Sequence, residues 1–127
     1  MKTPRNPATV HPPLAAYTHQ IELSGSERLL VLSGQVGMRP DGSLPGDVAE
    51  QLDVALGNVE RNLEAADMDL GDLVKLTLYV VGALSAEARG VLTSRLGGHE
   101  PCMTLVFVVS LATPALLIEL DAWASGS

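Results

Sequence analysis

One segment, Met103-Thr-Leu-Val-Phe-Val-Val-Ser110, constrains the fold of this 127-residue chain more than any other. In an extended strand Met103, Leu105, Phe107 and Val109 fall on one side and Thr104, Val106 and Val108 on the other. A strand that is apolar on both sides belongs in a sheet covered on both faces. The rest of the chain offers two helical segments, enough to cover one face. Leaving the other in water would expose a larger apolar patch than monomers normally tolerate, so a partner subunit is expected.

The clearest helix opens at Asp47, which can cap the free amides, with Glu50 three residues on to complete a capping box. Val48, Leu52, Ala55, Leu56, Val59 and Leu63 recur at helical spacing along one face, while Glu60, Arg61 and Glu64 lie mostly away from it. The helix is expected to end near Ala66, with Asp67 taking the left-handed conformation that Asp tolerates better than most residues. Ser85 to Leu96 can form a second, shorter helix with Ala88, Leu92 and Leu96 inward.

Residues 1–16 read as an extended lead-in, since Pro7, Pro12 and Pro13 exclude helix. His19–Leu23 and Leu29–Gly34 read as strands joined through Ser24-Gly25-Ser26 into a hairpin. Arg39-Pro-Asp-Gly-Ser43 is a turn by chemistry. Val74–Val81, Met103–Ser110 and Leu116–Trp123 supply three more strands. The predicted order is β-β-α-β-α-β-β, one α/β (α+β) domain over residues 1–127.

Composition narrows the function. The formal charge of −7 repels phosphate backbones, so nucleic acid is not an expected partner. The single cysteine, Cys102, cannot form an intrachain disulfide and implies no oxidising compartment. No apolar stretch suits a signal peptide or a membrane span, and a cytoplasmic location is expected. His11, His19 and His99 lack metal-ligand spacing, and no glycine-rich nucleotide loop is present, so neither metal nor cofactor is expected.

Several segments together carry a family resemblance. These are Pro13-Leu-Ala-Ala-Tyr17, Leu32-Ser-Gly-Gln35, Pro40-Asp-Gly42 leading to Gly46-Asp-Val48, Asn58-Val59, Gly71-Asp-Leu-Val-Lys75 and Ile118-Glu-Leu-Asp-Ala122. In order and spacing the chain resembles the RidA/YjgF family, also called endoribonuclease L-PSP-like, over nearly its whole length. The resemblance implies a chorismate-mutase-like fold in a homotrimer with a central barrel, and small-molecule sites in the clefts between subunits. It also implies an imine or enamine deaminase whose arginine, in a motif running Pro, small residue, Arg, Ser, binds the substrate carboxylate. The matching stretch here is Pro101-Cys-Met-Thr104, with Met103 at the arginine position. A thioether cannot clamp a carboxylate. The second helix region is about four residues shorter than in the family, which places its cleft residue at Arg89 or Gly90.

By the same resemblance Glu119 matches a glutamate that positions water, and Tyr17 a cleft tyrosine. Glu119 shares a strand face with Asp121 and Trp123, and paired carboxylates near apolar walls can serve as acid or base or simply bond backbone and water. The Tyr17 phenol can orient a ligand or be structural. Ser33 and Gly34 end a strand where backbone amides can face a ligand, or where glycine marks a bulge. Cys102 is a nucleophile only if its thiolate is stabilised, and otherwise an inert, partly buried thiol. Met103 and Phe107, beside Thr104, are either an apolar pocket wall or ordinary core. Arg89 or Arg95 can replace the lost anion clamp from another direction or remain solvated helix charge.

Three functions follow as expectations. One is a divergent deaminase, hydrolase or lyase acting on a small enamine, imine or related intermediate that lacks a carboxylate, with Glu119 catalytic. A second is a non-catalytic trimer of the same fold that binds a small molecule or a protein. Ribonuclease activity follows only from the older family label, and acidic charge with 3% aromatic content opposes it.

Overall fold

The computed structural model of the chain describes residues 1–25 and 27–127. Its elements are β1 (Lys2–Arg5), β2 (Gln20–Leu23), β3 (Arg28–Val36), α1 (Val48–Glu64), β4 (Leu73–Val81), α2 (Ala86–Leu96), β5 (Cys102–Val108) and β6 (Ile118–Gly126), with one 3-10 turn at Leu70–Asp72 before β4. The main sheet has the order β3-β6-β4-β5, antiparallel except for the β4–β5 pair. Both helices cover one of its faces. Leu52, Leu56, Val59 and Leu63 of α1 are fully buried against Leu76, Leu78, Leu120 and Ala122.

The local signals behaved as their chemistry requires. Asp47 caps α1 by accepting from the Glu50 amide at 2.8 Å, without the reciprocal Glu50 side-chain bond of the expected capping box, and Ser85 caps α2 through the Ala88 amide at 3.1 Å. Asp67 takes a left-handed φ of 57° just past α1. Gln51, a polar residue on the buried side of α1, was not foreseen. Its amide donates to Pro45 O at 3.0 Å and Ala115 O at 2.9 Å, and its Oε1 accepts from Leu117 N at 2.8 Å. It thereby ties α1 to the loops that lead into α1 and β6.

One expectation about pairing is corrected. The predicted hairpin between residues 19–23 and 29–34 does not form; β2 pairs instead with β1, Lys2 to Leu23 through Arg5 to Gln20. The lead-in segment thus contains a strand, although it holds Pro4. Proline is tolerated on such an edge, and Arg5 reaches Gln20 Oε1 at 2.9 Å and Glu22 Oε1 at 2.6 Å across the ladder. Of the predicted turn, Gly25 has a φ of 85°, while Ser26 lies outside the described residues. β5 carries the expectation of a partner subunit over its second face. Within one chain it is an edge strand, with Val106 38% and Phe107 57% exposed. Beside it the uncovered sheet face carries Leu29, Val31 and Trp123, all exposed.

The β3–β6 ladder is interrupted at the motif singled out in the sequence. Leu32 faces Ala122 and Gln35 faces Leu120, so β3 advances three residues while β6 advances two. The extra residue is a bulge at Ser33-Gly34. It turns Gln35 toward α1, where Asn62 Nδ2 donates to its side chain at 3.2 Å.

Candidate functional site

The largest cavity lies between α2, β5 and the segment before β2, with a volume of about 720 Å³. Arg89, Leu92, Thr93 and Leu96 line it from one stripe of α2, at the spacing that places helical residues on a common face. Met103 and Leu105 line it from alternate positions of β5, and Ala15, Ala16 and Tyr17 close a third side. Leu84, Gly98, His99 and Glu100 complete the wall. Most of these groups are apolar, and the volume is in the range of small-molecule sites.

The polar groups of this cavity are few and oriented. Tyr17 Oη accepts from Leu14 N at 3.1 Å, which leaves its proton available for donation. His99 Nε2 stands 2.7 Å from Leu73 O, a carbonyl that can only accept. The neutral ring therefore carries its proton on Nε2 and presents Nδ1 as an acceptor. Arg89 is exposed and takes part in none of the ion pairs among the described residues, whereas Arg95 is committed to Asp53 at 3.0 Å and Glu60 at 3.7 Å.

Glu119, Ser33 and Gly34 lie elsewhere. Glu119 pairs with Tyr79, which pairs with Val106, and this row belongs to the uncovered face. Met103 pairs with Leu76, one of the buried residues beneath the helices. Glu119 and Met103 are thus on opposite faces of the same sheet. Gly34 is where the Glu119 carboxyl rests: a Cβ there would lie 3.1 Å from Glu119 Cγ and collide with the carboxyl group itself. Close approach, rather than a positive φ, is what this glycine supplies.

The uncovered face holds a polar row that alternates along β4. Tyr79 Oη donates to Asp121 Oδ2 at 2.8 Å, and Lys75 Nζ donates to Thr104 Oγ1 at 2.7 Å. The hydrogen bond to Asp121 raises the Tyr79 pKa above that of a free phenol, and burial together with the Asp121 and Glu119 charges adds to the effect. Cys102 sits beside Lys75 in a shallower groove with Ile21, Leu29 and Trp123. Burial pushes its thiol pKa up, with Lys75 opposing, so the cysteine stays protonated.

The structure therefore brings together Tyr17, Arg89 and Met103, and separately Ser33, Gly34 and Glu119. Thr104 and Cys102 belong to the uncovered face, and Phe107 stands exposed beyond the cavity wall. His99 and Glu100 were missed as cavity residues because nothing periodic marks a loop. Lys75, Thr77 and Tyr79 could have been found, since polar residues at every second position of a strand define a face.

A model of the family described as Endoribonuclease L-PSP matches residues 8–125. The chain belongs to this family, the RidA/YjgF proteins. It is 35% identical over 79 residues to the 2-iminobutanoate/2-iminopropanoate deaminase of Escherichia coli K12, an overlap of 61% of this chain and 56% of that protein. The match thus spans little more than half the length of that relative. Protein HMF1 of Saccharomyces cerevisiae is 28% identical over 99 residues, 76% of this chain and 74% of its own. Among solved structures, the Rid-family protein YyfB of Yersinia pestis superposes with a TM-score of 0.83 at 31% identity, covering 97% of each chain. E. coli TdcF with bound serine superposes with a TM-score of 0.73 at 26% identity, covering 91% of each. No helix among the described residues is long and apolar enough to cross a membrane.

Proposed function

We propose that this protein acts on a small reactive enamine or imine intermediate, and that it is not a standard deaminase of amino-acid-derived imines. The observation that carries this reading is the place of Met103. It lies in the wall of the largest cavity beside Tyr17, where the family resemblance puts an arginine. The ligand-facing position is kept while its charge is gone. The deaminase names of E. coli relatives and the serine bound to TdcF support small amino-acid-like chemistry in the family at large.

Glu119 bears on how the site is built. Because it faces away from the cavity in its own chain, a ligand can touch Glu119 and Met103 together only where two copies meet. The exposed Leu29, Val31, Trp123 and Val106 on the Glu119 face give such a meeting its driving force. A cytoplasmic homotrimer with sites in its inter-subunit clefts satisfies both. There Glu119 handles water or a proton, Tyr17 orients the ligand, and Met103 and Leu105 form an apolar wall.

The decisive assay generates imines in situ with an amino-acid oxidase and compares wild type with Met103→Arg. Accelerated ammonia or keto-acid release by wild type means a working deaminase of standard type and refutes the proposed divergence. Activity in the variant alone supports an intact site turned to another substrate. The separation of Glu119 from the cavity favours a second reading, a non-catalytic ligand-binding trimer. Glu119→Gln decides between them: lost turnover with retained binding supports the enzyme, and no turnover by either form supports the binding protein.

A further inference from the structure

We propose that Arg89 replaces the missing anion clamp from the opposite wall, and that the ligand is a monoanion with a sizeable apolar body. This inference rests on reading the cavity as the ligand site, and it revises the expectation of a substrate without a carboxylate. Arg89 shares one helical stripe with Leu92, Thr93 and Leu96, so the stripe's one charged side chain lines a mostly apolar cavity. It is also the fourth residue of α2, close to the positive end of the helix dipole. A cation there is electrostatically unfavourable by itself, and the helix end and guanidinium together attract an anion. Among the described residues no carboxylate lies within ion-pair distance of it, while Arg95, further along α2, is paired twice.

Three further features define the ligand. The apolar lining by Leu92, Met103 and Leu105 suits an extended apolar group on the ligand. Arg89 is the single Lys or Arg lining the cavity and Glu100 also lines it, so a second negative charge on the ligand would find no cationic partner. Tyr17 Oη and the Nε2-protonated His99 offer one donor and one acceptor to a polar group between the two ends.

The test uses octanoate and octanamide, which share a chain and differ in charge, titrated into the 127-residue protein by calorimetry at about 0.15 M salt. Wild type should prefer octanoate by about tenfold or more, as for a charge-assisted hydrogen bond. Arg89→Gln should lose that preference and keep octanamide binding, and Arg89→Lys should restore part of it. Amide resonances of Tyr17, Leu92 and Met103 should shift with either probe. Equal affinity for both probes in wild type, an unchanged preference in Arg89→Gln, or shifts confined to other residues would each overturn the assignment. So would failure of both probes to bind. Octanoate selectivity in wild type with no imine turnover by either wild type or Met103→Arg removes catalysis and leaves the clamp; imine turnover by Met103→Arg alone, without octanoate selectivity in wild type, removes the clamp and leaves the proposed function.

Discussion

Replacing Gln51 with leucine isolates the contribution of one buried polar side chain to this fold. Gln51 is 1% exposed and makes three hydrogen bonds of 2.8 to 3.0 Å to the backbone at Pro45, Ala115 and Leu117. At about 1 kcal/mol net for each bond, their loss costs about 3 kcal/mol. Leucine has similar volume and exchanges the amide for two methyl groups, returning about 0.8 kcal/mol each. The net destabilisation is then roughly 1.5 kcal/mol. With a urea m-value of about 2 kcal/mol/M, the unfolding midpoint should fall by roughly 0.7 M at fixed protein concentration. A midpoint within about 0.2 M of wild type would refute the reasoning, because it would mean that water satisfies all three backbone groups at no cost. Gln51→Glu sharpens the test. Its carboxylate faces two carbonyl oxygens, so burial and repulsion raise its folded pKa above the unfolded value of about 4.3. Its destabilisation should be full at neutral pH and shrink as pH falls through that raised value, since the protonated acid can donate.

Three other outcomes follow from the geometry. In Gly37→Ala the new Cβ would stand 2.6 Å from Gln51 Cα and press on its carbonyl, so β3 or α1 must shift; a loss of about 1–3 kcal/mol is expected in urea unfolding. Gly34→Ala meets only the end of the flexible Glu119 side chain, so stability should change by less than about 1 kcal/mol while the Glu119 carboxyl resonance moves and Glu119-dependent turnover falls. Tyr79 should titrate above the ordinary phenol value of about 10 when followed by phenolate absorbance, and Asp121→Asn should bring it back down. A proton held more tightly in the folded state stabilises fully below the unfolded pKa and less as pH rises through the folded one, so alkaline unfolding should come earlier in the wild type than neutral-pH behaviour alone suggests.

The elements themselves were legible because their signals are local. The helix periodicity from Val48 to Leu63, the cap at Asp47, the left-handed Asp67 and the alternation of β4 and β6 all depend on contacts within a few residues. Partner choice was not legible in the same way. The pairing of β2 with β1 rests on Arg5 reaching Gln20 and Glu22 across a gap that no local pattern measures, and Gln51 gains its burial from loops far away in sequence.

The candidate site divides along the same line. From the sequence came the identities that matter chemically: a methionine at the expected arginine position, a glycine-containing strand end, an acidic pair on the last strand, and an arginine on α2. Only the tertiary structure decided which of them share a space. It set Met103 and Arg89 around one cavity and Glu119 behind the sheet, added His99 and Glu100, and used Gly34 to seat the Glu119 carboxyl. The reason is physical: the two-residue period of a strand fixes that neighbouring side chains face opposite ways, but which face meets helices and which stays open depends on packing across the whole chain.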